Sequence, residues 1–123
     1  MVHILHIRNG DFEARVLMSS LPDLTLAKFR KLLRLGLTSS ENDESIRELL
    51  AWFDGAIEDA DAECMVAVRR YTDEWETPPK GKAGYATKAN NAKLKNAVKK
   101  AKAAHDRLVK LRDITNQETK NYF

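Results

Sequence analysis

The stretch IRELLAWFDGAIEDADAECMVAVRRY, residues 46–71, and the stretch LKNAVKKAKAAHDRLVKL, residues 94–111, decide the fold of this chain. Both place apolar residues in alternating steps of three and four, the spacing that keeps a seam on one side of a helix, as in coiled coils. The first seam consists of Ile46, Leu50, Phe53, Ile57, Ala60, Cys64, Ala67 and Tyr71, and the second of Leu94, Ala97, Ala101, Ala104, Leu108 and Leu111. The pattern predicts two long helices that pack along these seams.

The two predicted helices carry opposite charge. Residues 39–77 contain twelve acidic and three basic residues, whereas residues 78–112 contain eleven basic residues and one acidic residue. Between the helices, TPPKGKAGYATKANN contains two prolines and two glycines and is typical of a loop. One antiparallel hairpin would therefore bring the opposite charges together. Matching the seams in that orientation predicts the facing pairs Val68–Val98, Asp61–His105 and Asp54–Arg112.

The N-terminal residues predict a β-hairpin. Asn9-Gly10 separates VHILHIR from DFEARVLM, and both turn residues tolerate the positive φ of a type I′ turn. With these two residues as the turn, the apolar face contains the pairs Ile7–Phe12, Leu5–Ala14 and His3–Val16, and the other face contains Arg8–Asp11 and His6–Glu13. Such a ribbon is marginal alone, so we expect it to pack on a helix or to gain strands.

A short amphipathic helix follows, with Thr25 or Asp23 as its N-cap and Gly36 at its end. The acidic helix begins near Ser39 or Ser40, which can cap it.

The chain is thus predicted to be one α+β, predominantly helical domain. Its segments are a β-hairpin (1–19), a short helix (23–36), an acidic helix (40–75), a basic loop (76–88), a basic helix (89–114) and a fraying tail (115–123). The most buried side chains are predicted to be Leu50, Phe53, Ile57 and Leu108.

Composition narrows the functional classes. Of 123 residues, 43% are hydrophobic and 32% are charged, which is typical of a folded domain. No apolar run approaches the ~18 residues of a membrane span, and MVHILHIRNG lacks the cationic start of a signal peptide. We therefore expect a cytoplasmic protein, and the single Cys64, which cannot form an internal disulfide, agrees with this expectation.

Motifs for catalysis and cofactor binding are not found in the sequence. It has no Walker loop, no dinucleotide-binding fingerprint, no paired-cysteine zinc pattern and no nucleophile elbow. His3 and His6 would lie on opposite faces of a strand, which prevents them from sharing a metal. We therefore expect a non-enzymatic protein without a metal or cofactor.

Three functions remain open. The first is a small regulatory protein that binds another protein through the helical hairpin, its loop or a strand edge, as phage and mobile-element inhibitors of host machines do. The second is nucleic-acid binding by outward-pointing residues of the loop and basic helix, with Tyr85 stacking on a base: Lys80, Lys82, Tyr85, Lys88, Lys95, Lys99 and Lys102. The third is a structural component that self-associates through a strand edge or a helix face.

A second candidate patch lies on the short helix. Arg30, Lys31 and Arg34 cover the side opposite its apolar stripe. A basic helix face of this kind is usually a solvated surface, and its alternative role is to bind phosphate or an acidic partner.

Overall fold

The computed structural model describes residues 3–75 and 85–120, apart from the side chains of residues 85–87. Strands β1 (Ile4–Asn9) and β2 (Phe12–Leu17) form an antiparallel ribbon, and helices α1 (Leu26–Leu37), α2 (Asp43–Glu74) and α3 (Tyr85–Thr119) follow. Single 3₁₀ segments, Met18–Asp23 and Ser40–Asn42, lead into α1 and α2. This order, with α2 and α3 packed as an antiparallel pair, confirms the predicted fold class.

The chain divides into two compact units, to which α2 and α3 both contribute. Unit 1 contains Met1–Ile57 and Arg107–Phe123, and unit 2 contains Glu58–Asp106. Inside unit 1, Arg112 Nη1 lies 4.0 Å from Asp54 Oδ1, which confirms that predicted pair. Inside unit 2, the Asn90 amide donates a hydrogen bond to the Glu74 carbonyl at 3.5 Å. The later residue of α2 contacts the earlier residue of α3, as an antiparallel helix pair requires.

The register of the ribbon differs from the predicted one by two residues. Asn9 pairs with Phe12, Ile7 with Ala14 and Leu5 with Val16, so Gly10 and Asp11 form the turn. Gly10 has a φ of +61°, and no other described residue has a positive φ, whereas a type I′ turn at Asn9-Gly10 would require two. Asn9 instead donates hydrogen bonds to the Leu35 carbonyl at 2.9 Å and to Thr38 Oγ1 at 2.7 Å. Because the shift is even, the same side chains face the core.

Helix α1 begins three residues after the predicted start at residue 23 and ends one residue after the predicted end at residue 36. Thr25 caps it as expected, accepting a hydrogen bond from the Lys28 amide at 3.2 Å. Gly36 was predicted to end the helix but lies inside it, fully packed, and Thr38 is the C-cap. A Cβ atom at Gly36 would stand 2.7 Å from Ile7 Cδ1. The glycine therefore allows β1 to approach α1 closely.

Asn42 joins the ribbon to the start of α2. Its side chain is 2% exposed, accepts a hydrogen bond from the Arg8 amide at 2.8 Å, and donates to the Arg8 carbonyl at 2.7 Å and the Gly36 carbonyl at 3.0 Å. Ser39 makes no side-chain cap bond, and α2 begins only at Asp43, so the predicted serine cap is wrong. Asn42 holds this junction instead.

Helix α3 is longer than predicted at both ends. It begins at Tyr85, inside the predicted loop, and continues through the predicted tail to Thr119. The tail does not fray because Thr115 and Thr119 are buried and Arg34 Nη2 lies 3.1 Å from Glu118 Oε1. The predicted loop residues 76–84 and the end of the tail, residues 121–123, lie outside the described residues.

The core of unit 1 lies where the ribbon, α1, α2 and the end of α3 meet. Phe29 and Phe53 pack edge to face with ring centroids 6.3 Å apart, and both are fully buried. The burial of Phe53 and Leu108 confirms those predictions, but Leu50 and Ile57 are only half-buried. Leu49 is fully buried in place of Leu50, because the buried side of α2 here is turned toward α1 and the ribbon and extends beyond the heptad seam.

Candidate interaction surface

The described residues of unit 2 form two helical segments, so each helix has one side covered by the other. Leu94, Asn91 and Ala60 are buried between them. Large apolar side chains on α2 remain exposed: 64% for Met65, 59% for Val66 and 46% for Val68. Val68 was predicted to face Val98 across the helix pair, and its exposure shows that prediction to be wrong. The surface of unit 2 therefore presents large apolar side chains beside its charged ones.

One groove runs between α2 and α3 in unit 2. Its volume is about 580 Å³. Its floor consists of Val66, Ala67, Leu94, Ala97, Ala101 and Ala104, and its rim of Glu63, Arg70, Asn90, Lys93 and Lys100. We call it the alanine groove. Small side chains let another backbone come close, and the long side chains of the rim can reach over an occupant.

The rim of the alanine groove is positively charged. Arg70 on α2 and Lys93 and Lys100 on α3 outnumber the single acidic residue, Glu63. Arg70 makes an i,i+4 ion pair with Glu74 at 2.8 Å, and no ion pair is seen for Lys93 or Lys100 among the described residues. These two lysines are seven residues apart, which places them two turns apart on the same side of α3.

The other flank of α2 carries a second apolar strip. Cys64, Met65, Val68 and Thr72 line it, together with Asp61, Arg69 and Asp73. The lining belongs to α2 alone, so this surface is a helix face rather than a groove. Cys64 is half-buried there.

The lysines predicted to bind nucleic acid lie partly on one stripe. Lys88, Lys95, Lys99 and Lys102 are exposed on α3, at intervals of seven, four and three residues that keep them on one side of the helix. Tyr85 is the first residue of α3, but its side chain lies outside the described residues, as do Lys80 and Lys82. Lys93 and Lys100, which the sequence analysis did not select, lie on the groove side instead.

The second predicted patch is found in unit 1. Arg30, Lys31 and Arg34 are exposed on α1 and line a shallow depression with Ala27, Leu35 and Thr38. Arg34 already forms three hydrogen bonds to the Glu118 carboxylate, at 3.1 to 3.3 Å. This patch is therefore partly occupied by an intramolecular ion pair.

Titratable groups of the described residues form ion pairs rather than a catalytic cluster. His6 Nε2 lies 2.7 Å from Glu13 Oε1. This hydrogen bond, with a smaller contribution from Arg15, lowers the pKa of Glu13 below its ordinary value.

His105 lies 3.5 Å from Asp106 rather than beside Asp61, so the predicted pair of Asp61 and His105 is not formed. Within residues 3–75 and 85–120, no three His, Cys, Asp or Glu side chains are grouped as metal ligands would be.

Comparisons with protein-family models, curated proteins and solved structures find no match for this chain. Of the helices in the described part of the chain, none has both the length and the apolar character needed to cross a bilayer. The surfaces described above are therefore the basis for a functional assignment.

Proposed function

We propose that this protein is a non-enzymatic binding protein that holds an acidic amphipathic helix of a partner protein in the alanine groove. The observation that carries the proposal is the open apolar floor of the groove beneath a basic rim. Helix-in-groove binding needs both features, an apolar strip for affinity and charged flanks for specificity. A protein of this kind covers the bound helix, which prevents the helix from making its other contacts and so regulates or inhibits the partner. The lone Cys64 is compatible with the reducing cytoplasm.

The dimensions of the groove limit the partner. Its lining on α3 extends from Asn90 to Ala104, which is about 21 Å of helix at ~1.5 Å per residue. An occupant of about 14 to 18 residues would fill it. The occupant should carry small or medium apolar residues at helical spacing, and acidic residues seven positions apart opposite Lys93 and Lys100.

A pair of designed peptides tests the proposal. Both are 18-residue amphipathic helices with the same apolar stripe, one with glutamates and one with lysines on its flanks. We expect fluorescence anisotropy to show tighter binding of the glutamate peptide, with affinity falling as salt rises because the rim pairs are exposed. Failure of both peptides to saturate the protein at about 1 mM, an affinity of only ~4 kcal/mol, would contradict the proposal.

Two double variants on α3 locate the binding site. Lys93→Glu/Lys100→Glu reverses the charge of the rim, and Lys95→Glu/Lys102→Glu makes the same change at the same spacing outside the groove. We expect the rim variant to bind the glutamate peptide at least ~10-fold more weakly, since two attractive pairs become repulsive. The control should change affinity by less than about threefold. Equal losses would show that only net charge matters.

Nucleic-acid binding is the second candidate, favoured by the exposed stripe of Lys88, Lys95, Lys99 and Lys102. It predicts the opposite order of effects, with the Lys95→Glu/Lys102→Glu variant losing most affinity. A gel shift in about 150 mM salt measures it, because binding through a few loose phosphate contacts disappears between ~50 and ~200 mM salt. Tight binding in that buffer, lost in the stripe variant and retained in the rim variant, would replace the peptide-binding proposal.

A further inference from the structure

The two edges of the ribbon are not equivalent. On β1, the amide and carbonyl of Arg8 point away from β2 and are both bonded to Asn42. Arg8 pairs with Glu13, so the backbone groups of Glu13, and of Arg15 two residues on, point outward from the opposite edge. Both residues are exposed, and within the described residues their main-chain amides and carbonyls have no hydrogen-bond partner beyond the strand. The outward backbone groups of Arg8 on β1 are thus occupied, whereas those of Glu13 and Arg15 on β2 are open.

We propose that the β2 edge pairs with the β2 edge of a second copy of this chain, which joins two ribbons into one four-stranded antiparallel sheet. The pairing is centred on Ala14, which faces Ala14 of the second copy. Glu13 then lies opposite Arg15 of the second copy, and Arg15 opposite its Glu13. These are the residues whose backbone groups point outward, so each pair exchanges two hydrogen bonds and the two-fold symmetric contact contains four.

The side chains of β2 are complementary to themselves in this register. The two pairs formed by Glu13 and Arg15 join opposite charges, which favours pairing, whereas a shift of one step to centre on Arg15 would place two arginines face to face. On the other face, Phe12 would lie opposite Val16, an aromatic and β-branched pair of the kind that stabilises antiparallel sheets. Phe12 is 44% exposed in the single chain, and this contact would cover it.

This inference does not rest on the proposed function, because it concerns unit 1 and not the alanine groove. A five-residue strand pairing buries less area than a standard protein interface, so the association should be weak and visible only at high concentration. Sedimentation velocity should show the apparent mass rise from 14.0 kDa toward twice that value as the protein is concentrated from about 10 μM to about 1 mM. A constant monomer mass over this range would overturn the inference.

A charge-swap experiment identifies the register. Glu13→Arg and Arg15→Glu each place like charges opposite one another in a homodimer, so each variant alone should remain monomeric. An equimolar mixture of the two restores both attractive pairs and should associate at least as well as the unchanged protein. Lys95→Glu, the same charge change on the exposed surface of α3, is the control and should associate normally. Association that survives in either single variant, or no association in the mixture, would refute this pairing.

Amide hydrogen exchange provides an independent measurement on folded protein. In the paired state the amides of Glu13 and Arg15 are hydrogen-bonded, so their exchange should slow as concentration increases. The amide of Ala14 points toward β1 and should not change. Equal protection of all three amides at every concentration would contradict the proposed contact.

Discussion

Replacing Asn42 by alanine should be among the most damaging single polar changes in this chain. The side chain makes three hydrogen bonds of 3.0 Å or less, two to Arg8 and one to Gly36, and is almost completely buried. At ~0.5–1.5 kcal/mol net for each bond, their loss should reduce the free energy of unfolding by about 2–4 kcal/mol. For a chain of 123 residues, this corresponds to a decrease in Tm of roughly 10 °C.

An Asn42→Asp variant separates hydrogen bonding from packing, because its side chain has nearly the same shape. At pH 7 the carboxylate can still accept from the Arg8 amide, but it faces the carbonyls of Arg8 and Gly36 with no proton to donate. The fold should therefore favour the protonated acid and raise its pKa above the ~3.9 of an unfolded aspartate. The stability of this variant should then increase as the pH falls through the raised pKa.

Urea denaturation followed by far-UV circular dichroism, at pH 7 and pH 5, measures these effects. Asn96→Ala, at an exposed position of α3, is the matched control and should be neutral or slightly stabilising. The reasoning is refuted if Asn42→Ala unfolds within ~0.5 kcal/mol of the unchanged protein, the range of ordinary surface substitutions. It is also refuted if Asn42→Asp gains nothing at pH 5 relative to Asn42→Ala.

Three further predictions concern stability. Phe53→Ala should cost about 3–5 kcal/mol in urea denaturation because it empties the centre of unit 1, and an unchanged midpoint would contradict the packing described. Gly55→Ala should increase stability by about 0.5–1 kcal/mol, since no atom lies within 4 Å of the added methyl group; Gly36→Ala should be the less stable of the two variants because it meets Ile7 at 2.7 Å. The lowered pKa of Glu13 implies a contribution that is present above the ordinary pKa of glutamate and lost as the pH falls through the lowered value. Stability curves of the unchanged protein and Glu13→Gln should therefore converge in acid, and parallel curves would exclude the ion pair as a source of stability.

The ribbon shows which parts of a fold local sequence can determine. Alternation of apolar residues identifies Leu5 and Ile7 as core-facing in either register, because a shift of two residues leaves every side chain on its face. The position of the turn, in contrast, depends on the hydrogen bonds that the Asn9 side chain makes outside the ribbon. This side chain bonds to Leu35 of α1 and to Thr38, the C-cap of that helix, both more than twenty residues away, and this long-range contact is not visible in the dipeptide Asn9-Gly10.

The predictions for Gly36 and for the serine cap of α2 were wrong for a related reason. A glycine at the end of an apolar pattern usually marks a helix C-terminus, and Ser39 in a stretch rich in acidic residues usually marks an N-cap. Here the glycine is required by the close approach of Ile7, and Asn42 by the unpaired edge of β1. Both requirements come from the ribbon packing on the helices, so a reading of α1 and α2 alone could not find them.

The exposed apolar residues of α2, in contrast, could be predicted from the sequence. Cys64, Met65, Val66, Ala67 and Val68 are consecutive and apolar, and consecutive residues on a helix point in all directions. A two-helix seam can cover only some of them, so the run itself indicates exposure or an additional partner. The heptad pattern alone does not distinguish the residues that the seam covers from those that it leaves exposed.

Helix lengths explain why the same heptad pattern forms a core in unit 1 and a surface in unit 2. At ~1.5 Å per residue, α2 with its 32 residues is about 48 Å long, whereas α1 with its 12 residues is about 18 Å long. The short helix and the ribbon can therefore cover only part of α2, the part in which Ile46, Leu49 and Phe53 are fully buried. Met65, Val66 and Val68 belong to the remainder. If their exposure served no purpose, polar residues at these three positions would improve solubility without loss of packing. Val66 lies in the floor of the alanine groove, so under the proposed function a bound helix would cover it, whereas Met65 and Val68 lie on the other flank of α2.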